Sequence, residues 1–206
     1  MNHDDLPYVI VLAAGQGKRM GSPKALMIVD EKPWWFLQHS KLQSLNYKTV
    51  WVVSRRVEEI LCGMKDAPEN RVITDDTQPQ FASMMCGIDS LDGVTPGGVY
   101  ILPVDVPAPS PSTWRNLHSA ARSEEYTMPV VPVFKGKRGH PPLLPGGWLK
   151  NNLLNNRKDS PKRLDYLLSG NCRELPVDDP LVTLNLNRPE DVARLHELNG
   201  DGRILK

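Results

Sequence analysis

The chain has 206 residues, with 25 Lys and Arg against 24 Asp and Glu, so its net charge is +1. This balance gives no reason to expect a nucleic-acid partner, and any basic surface must be local. The three cysteines are far apart and form no CxxC pair, which argues against a disulfide scaffold or a zinc cluster and favours a cytoplasmic location. No apolar run approaches the roughly 18 residues of a membrane span, so no membrane association is expected.

Apolar runs bounded by Gly, Pro or Asp alternate along the chain with segments of helical spacing. Strands that are apolar throughout and alternate with helices indicate a parallel sheet covered on both faces. The predicted fold class is therefore α/β with a mostly parallel sheet between layers of helices. The predicted strands are 8–13, 49–54, 71–74, 99–104, 128–134 and 181–186, and the predicted helices are 34–45, 57–64, 82–91, 111–125 and 188–198.

The length suits a single domain, 1–206, with a full core. The segment 135–170 is rich in Gly, Pro, Asn and Lys/Arg and interrupts the alternation of strands and helices. We interpret this segment as an insertion or flap that faces the substrate, and not as a second domain.

The segment LAAGQGKRMGSPK, residues 12–24, follows the first predicted strand and combines three glycines with three cationic side chains. Glycines allow the backbone to approach a ligand closely, and cations match phosphate oxygens. The G-x-G-x-x-x-G spacing does not fit a dinucleotide-binding turn, and Pro23 prevents the helix that such a turn needs. Lys24 comes too late for a Walker A loop. The segment therefore predicts an extended loop whose backbone, Arg19 and Lys24 bind a polyphosphate.

The same residues resemble the signature of the MobA-like nucleotidyltransferases, roughly L-A-[AG]-G-x-[SG]-x-R-M-G-x-x-K. The two alanines after Leu12 are most similar to the molybdenum cofactor cytidylyltransferase branch. The resemblance implies a Rossmann-like three-layer α/β/α nucleotidyltransferase fold, in which this loop wraps the triphosphate and Arg19 and Lys24 are catalytic. The nucleotide-binding residues that it implies here are Leu12, Ala13, Ala14, Gly15, Gly17, Arg19 and Lys24.

Asp105 lies in PVDVPAPS, after the predicted strand that ends at 104. An isolated Asp after a strand is commonly a turn former, but the carboxyl end of an interior strand is where open sheets bind ligands. Mg²⁺ typically takes one or two protein carboxylates. The family carries Gly-Asp-Met-Pro here, and the resemblance implies that Asp105 is catalytic and binds the metal, Mg²⁺ or Mn²⁺.

The segment TLNLNRPEDVARL, residues 183–195, resembles the N-x-N-T-P-E-D-L pattern of the family. Asn185 and Asn187 alternate with leucines, so we expect them to share one face of the predicted strand. Either could give an amide oxygen to the metal, and Asn187, nearer the strand end, is the predicted ligand. The alternative is an ordinary helix entry, with Pro189 and Glu190 in the first turn.

Two further segments resemble the family. GKRGHPPLLP, residues 136–145, is similar to G-x-R-G-H-P-V-L-F of the cytidylyl branch, which implies that Arg138 and His140 contact the acceptor. TQPQFASMMCGIDSL, residues 77–91, lies where relatives have GMSSSLRAGL, and Ser83 is expected to bind nucleotide near a helix start. The chain departs from the usual residues, mostly Gly and Ser, at Pro79, Phe81, Ala82, Met85 and Pro103.

The resemblance implies that a phosphate oxygen of an acceptor attacks the α-phosphorus of a nucleoside triphosphate and pyrophosphate leaves. CTP and a molybdopterin-type acceptor are the favoured pair. Two alternatives stay open: a transferase of the same fold that acts on a sugar or alcohol phosphate, and a non-catalytic accessory protein that hands nucleotide or cofactor to a partner such as a molybdoenzyme. The departures at 79–85 and at Pro103 support the accessory protein.

Overall fold

The computed structural model of the chain describes residues 6–17, 21–155 and 163–199. Short 3₁₀ turns lie at Lys24–Leu26 and Pro180–Thr183, and one π turn lies at Lys150–Leu154. The strands are β1 (Tyr8–Ala13), β2 (Ile28–Val29), β3 (Lys32–Pro33), β4 (Thr49–Ser54), β5 (Arg71–Thr74), β6 (Val99–Pro103), β7 (Val130–Phe134), β8 (Lys137–Arg138), β9 (Leu143–Leu144) and β10 (Arg173–Pro176). The helices are α1 (Trp34–Ser44), α2 (Arg55–Leu61), α3 (Gln80–Asp89), α4 (Pro111–Ser123), α5 (Gly146–Leu149), α6 (Leu164–Leu168) and α7 (Pro189–Asn199).

The main sheet has the strand order β10-β7-β9-β6-β1-β4-β5, and β8 pairs with β7. β1 lies in the interior and runs parallel to both β4 and β6. β9 runs antiparallel between β6 and β7, and β10 is parallel to β7. The sheet is therefore mostly parallel, as predicted.

Both faces of the sheet are buried, and β1 shows how the sequence produces this. Val9 and Val11 pack into one core cluster, whereas Ile10 and Leu12 pack into the other, because successive side chains of a strand point to opposite faces. Residues of α1, α2, α4 and α7 complete the first cluster, and residues of α3, α5 and α6 complete the second. This arrangement confirms the predicted three-layer α/β/α fold.

The predicted strand 181–186 is wrong. The Asp179 carboxylate accepts a hydrogen bond from the backbone N–H of Leu181 at 3.1 Å, and Pro180 fixes the backbone angle that begins the 3₁₀ turn Pro180–Thr183. The residues that follow form an extended connection without strand pairing. Asn185 and Asn187 consequently do not share a strand face, although the leucines that alternate with them, Leu184 and Leu186, are buried.

The segment 135–170 contributes β9 to the interior of the main sheet and also carries α5 and α6. Strands of two residues are too short to give a recognisable alternation, so the sequence does not predict β8 or β9. The description of this segment as a flap on a single domain stays a prediction. No helix in the described part of the chain is long and apolar enough to cross a membrane.

Candidate active site

A cleft of about 350 Å³ opens at the carboxyl ends of β1 and β6. The glycine-rich loop forms one wall. Gly17 has φ of +62°, and a Cβ atom there would overlap the carbonyl oxygen of Ser22, so only glycine fits this turn. The cleft is lined by Leu12, Ala14, Gly15, Gly17, Lys24, Asp76, Gln78, Gln80, Ser83, Val104, Asp105 and Asn187.

Lys24 joins three distant parts of the chain in this cleft. Its Nζ donates to Oδ2 of Asp105 at 2.7 Å and to Oδ1 of Asn187 at 2.5 Å. The side chains of Lys24 and Asp105 are only about one-fifth exposed, so their attraction is less screened than that of a surface pair. One carboxylate oxygen and one amide oxygen therefore converge on a single cationic point.

The backbone around Asp105 is fixed by its neighbours in the sheet and by the segment that carries Asn187. The N–H of Val104 donates to the carbonyl of Leu12 at 3.0 Å, which extends the pairing of β6 with β1. The N–H of Leu186 donates to the carbonyl of Asp105 at 2.7 Å. This last bond places the two oxygen-bearing residues side by side.

Helix α1 also holds the loop that follows β6 and carries Asp105, through two buried side chains. The Trp34 indole donates to the carbonyl of Val104 at 2.6 Å. The Gln38 amide donates to the carbonyl of Val106 at 2.7 Å and accepts from the N–H of Ala108 at 2.8 Å. The loop backbone is thereby satisfied although it lies in the interior.

Asn187 is positioned by Asp191 in the first turn of α7. Oδ2 of Asp191 accepts from the N–H of Asn187 at 2.8 Å and from the N–H of Arg188 at 2.9 Å. The bond from the Arg188 N–H to Asp191, three positions later, is the acidic half of a capping box. This role of Asp191 was not predicted, although the P-E-D sequence after Asn187 and Arg188 is a signal for it.

Ser83 lies in the first turns of α3 and is 5% exposed, facing the cleft. The helix approaches the sheet closely at Gly87, where a Cβ atom would lie 2.7 Å from Ile10 Cγ2 and 2.8 Å from Val52 Cγ2. This close packing brings the N-terminal end of α3 to the cleft.

A second cavity, of about 460 Å³, adjoins the cleft and shares Leu12 and Gln80 with it. Arg138 lies in its lining and donates to Oε1 of Glu174 at 2.6 Å. Burial lowers the pKa of His140, against the opposing effects of the Asp105 carboxylate and the Ile101 carbonyl. The cavity is lined by Leu12, Pro79, Gln80, Phe81, Met84, Ile101, Pro103, Val131, Arg138, Gly139, His140, Pro142, Arg163, Leu164, Asp165 and Leu168.

Most of the predicted site residues that the structure describes come together at this edge of the sheet, but Ala13 and Asn185 do not. The Ala13 side chain packs into the core on the opposite face of β1, Asn185 is exposed and bonds its own segment, and Arg19 lies outside the described residues. The cleft brings together Leu12, Ala14, Gly15, Gly17, Lys24, Ser83, Asp105 and Asn187, and the adjoining cavity brings together Arg138 and His140.

Three polar side chains that line the cleft were not predicted from the sequence. Asp76, Gln78 and Gln80 all line the cleft. Gln16 donates to Oδ1 of Asp76 at 3.0 Å and so ties the loop to the turn before α3. These two residues are 60 positions apart, and no local pattern relates them.

The oxygens around Lys24 fit a divalent cation that takes its other ligands from water and from a nucleotide. Among the described residues, no group of three or more His, Cys, Asp or Glu side chains could hold a metal ion by itself. Asp105 and Asn187 offer two hard oxygens that already converge on a cation. Such a set suits Mg²⁺, which keeps several waters and takes further ligands from substrate phosphates.

The sequence profile described as the MobA-like NTP transferase domain matches residues 9–166. Among curated proteins, the chain is 26% identical over 198 residues to a probable molybdenum cofactor guanylyltransferase of Methanothermobacter thermautotrophicus, with 91% of this chain and 98% of that protein covered.

Solved structures share the fold. Rv0371c of Mycobacterium tuberculosis superposes with a TM-score of 0.75 and 21% identity, covering 93% of this chain and 98% of that one. Its complex with manganese superposes with a TM-score of 0.71 and 19% identity, over the same shares of the two chains.

Proposed function

The chain belongs to the MobA-like NTP transferase family and is a nucleotidyltransferase, and on that premise we propose that it transfers a nucleoside monophosphate to the phosphate of a molybdopterin-type acceptor. A phosphate oxygen of the acceptor attacks the α-phosphorus, a new P–O bond forms, and the bond to the β-phosphate oxygen breaks to release pyrophosphate. The observation that carries this proposal is the convergence of Lys24, Asp105 and Asn187 beside the glycine-rich loop.

The residues of the cleft would act by positioning and by neutralising charge. The backbone of the loop at Gly15 and Gly17 approaches the triphosphate, and Lys24, with Arg19, stabilises the charge that develops on the leaving pyrophosphate. Ser83 and the start of α3 face the nucleotide. A phosphate nucleophile is already ionised, so the site needs no general base.

Asp105 and Asn187 would hold a divalent cation, Mg²⁺ or Mn²⁺. When bound, such a cation supplies Lewis-acid neutralisation of phosphate oxygens. A structural relative solved as a complex with manganese supports the use of a divalent cation by this fold. The two oxygens contact Lys24 in this structure, so Lys24 must move toward the phosphates when nucleotide and cation bind.

The base of the nucleotide has two candidates. CTP is favoured by the two alanines after Leu12 and by the segment 136–145, both of which resemble the cytidylyl branch. GTP is the second candidate, because the curated relative is named a probable molybdenum cofactor guanylyltransferase. Thermal shifts with CTP, GTP, ATP and UTP at equal concentration in the presence of Mg²⁺ distinguish them, since a ligand that binds only the folded state raises Tm, and a tighter ligand raises it further.

The proposal is tested by mixing the protein with each triphosphate, a divalent cation and purified molybdopterin, and measuring pyrophosphate. We expect release with one triphosphate and only in the presence of the acceptor. Release of pyrophosphate with a sugar or alcohol phosphate, and not with molybdopterin, would show that the acceptor belongs to that class instead. Nucleotide binding without any release would support the accessory protein instead.

We place the enzyme in the cytoplasm because Cys62, Cys86 and Cys172 are free thiols.

A further inference from the structure

The two segments that carry the proposed cation ligands lie side by side and are joined at both ends. One segment, the β6 loop, runs from Asp105 to Ser110, and the other, the α7 connection, runs from Asp179 to Asn187. Beside the cleft, the N–H of Leu186 donates to the carbonyl of Asp105 at 2.7 Å. At the far end, the N–H of Ser110 donates to Oδ2 of Asp179 at 2.8 Å. The spacing of Asp105 and Asn187 therefore depends on how these two segments are held together.

The carboxylate at the far end, that of Asp179, is buried, with the residue only 4% exposed. Besides the Ser110 N–H, it accepts from the hydroxyl of Thr113 at 2.7 Å and from the N–H of Leu181 at 3.1 Å. These donors are neutral, whereas a carboxylate that leaves water needs an opposite charge to offset the cost of desolvation. The far end of the two segments therefore favours a cation.

Lys41 of α1 brings that cation. Its Nζ donates to the carbonyl of Ala108 at 2.7 Å, and Asp179 is the carboxylate that acts on its charge from the packed α7 connection. Lys41 lies three positions after Gln38, so the two share one face of the helix. Gln38 accepts from the N–H of Ala108 at 2.8 Å. Helix α1 consequently holds the buried Ala108 of the β6 loop through both its N–H and its carbonyl.

We propose that Lys41 is a positioning residue, whose ammonium between the Ala108 carbonyl and Asp179 sets the separation of the β6 loop and the α7 connection. Through that separation it sets the spacing of Asp105 and Asn187. Lys41 lies outside the lining of the cleft and acts on a bound cation only through these segments. This inference rests on the proposed function, because that function assigns the cation to Asp105 and Asn187.

The charge of Lys41 gives the proposal a signature in pH. Burial lowers the pKa of Lys41 to about 8, against the opposing attraction of the Asp179 carboxylate. Above that pH a neutral amine still donates to Ala108, but the bond loses its charge assistance and Asp179 loses its counter-charge. The two segments are then held less firmly, and we expect the cation to bind more weakly.

Stability should change in the opposite direction. The ordinary pKa of a lysine is 10.5, so between about 8 and 10.5 the unfolded chain binds more protons at Lys41 than the folded protein does. The contribution of Lys41 to the free energy of unfolding therefore rises with pH over this range. Unfolding would not explain a weaker cation affinity in the same range.

The test is the binding of Mn²⁺ to the full-length protein with saturating CTP or GTP, measured by electron paramagnetic resonance from pH 7 to 9. The wild-type Kd should rise about 5-fold over this range, as expected for a residue behind the metal ligands. Lys41→Arg keeps its charge at every pH, so its Kd should change less than about 2-fold. Lys41→Met should bind about 5-fold more weakly already at pH 7 and show no further pH dependence.

Asp179→Asn gives an independent variant, because it removes the carboxylate that raises the pKa of Lys41. The midpoint of the loss of Mn²⁺ affinity should move to lower pH, by at least about 0.5 unit. Lys48→Met is the matched control, since it removes an exposed ammonium outside the cleft lining. It should retain the affinity and the pH profile of the wild-type protein. If Lys41→Met does not fold, Lys41→Arg and Asp179→Asn decide the question.

A wild-type Kd that does not change with pH, or a Lys41→Arg profile as steep as that of the wild type, would overturn the inference. An unmoved midpoint in Asp179→Asn would also overturn it. These measurements require no turnover. The expected profiles without pyrophosphate release would therefore reject the proposed reaction alone, whereas pyrophosphate release with a flat Mn²⁺ profile would reject the role of Lys41 alone.

Discussion

The ammonium of Lys24 lies 2.7 Å from the carboxylate of Asp105, although 81 positions separate the two residues in the chain. Lys24 follows the glycine-rich loop, and Asp105 follows β6. Because β1 and β6 are adjacent parallel strands, their carboxyl ends deliver both residues to the same edge of the sheet. The fold alone therefore produces a cation and an oxygen ligand at contact distance.

Replacing Lys24 tests the charge at this point. Lys24→Met keeps most of the aliphatic stem but removes the ammonium, so we expect kcat/KM for the triphosphate to fall by about 100-fold or more, since a positioned donor to the developing charge is lost. Lys24→Arg should retain more activity. Lys48→Met, which removes an ammonium on the edge of β4 far from the cleft lining, is the control. Full activity in Lys24→Met would remove this side chain from the mechanism.

Gln38 couples helix α1 to the loop that carries Asp105. Gln38→Leu leaves the Val106 carbonyl and the Ala108 N–H without their buried partner. We expect a loss of about 2–4 kcal/mol in the free energy of unfolding, a fall in Tm of roughly 5–15 °C, and a lower kcat. Gln43→Leu, on the exposed side of α1, should change neither property. Equal Tm values for the two variants would show that these bonds contribute nothing.

Asp191 should affect the metal through the position of Asn187. Asp191→Ala removes the acceptor for the Asn187 and Arg188 N–H groups, so we expect a loss of about 1 kcal/mol in stability and an approximately 10-fold weaker binding of Mn²⁺ with nucleotide, measured by electron paramagnetic resonance. Glu190→Ala, one residue earlier in the same turn and exposed, is the control. Reduced stability with unaltered Mn²⁺ binding would mean that Asp191 is only a helix cap.

Acid should destabilise the protein through His140. Burial lowers the pKa of this imidazole in the folded state, so between that pKa and the unfolded value of about 6.5 the unfolded chain binds more protons. The free energy of unfolding should therefore fall as pH drops below about 6.5. His140→Gln should flatten this slope, which denaturant titrations from pH 5 to 8 measure. Part of the slope should persist, because burial also lowers the pKa of His39.

His196→Gln, which changes an exposed histidine on α7, is the control for this pH dependence. It should retain the slope of the wild-type protein. A slope that is equally steep in His140→Gln would show that the buried imidazole of His140 does not contribute to the acid sensitivity.

The sequence predicted those parts of the fold in which local patterns agree with the tertiary structure. The five predicted strands that the structure confirms, β1, β4, β5, β6 and β7, contain apolar runs bounded by turn residues, so they could be identified. The strand predicted at 181–186 was wrong because its alternation of leucine and asparagine outweighed a stronger local signal, Asp179 followed by Pro180. The leucines are buried, but in an extended connection without pairing.

The candidate site was predictable as far as residues lay at strand ends. The glycine-rich loop and Asp105 follow β1 and β6, which end at one edge of the sheet. Asn187 instead reaches Lys24 through a connection that is not a strand, so this contact could not be predicted from strand ends. The support from Trp34 and Gln38 could not be read from the sequence, because it depends on where α1 packs.

The central claim is that this cleft transfers the α-phosphorus of a triphosphate with the help of Asp105. The most direct test follows α-³²P- and γ-³²P-labelled triphosphate with molybdopterin and Mg²⁺, in the wild-type protein and in Asp105→Asn, with the exposed substitution Asp66→Asn as control. We predict that the α label enters the acceptor, that the γ label leaves as pyrophosphate, and that Asp105→Asn lowers the rate by about 100-fold or more. Transfer of the γ label, or α-label transfer that is as fast in Asp105→Asn as in the wild type, would contradict the claim.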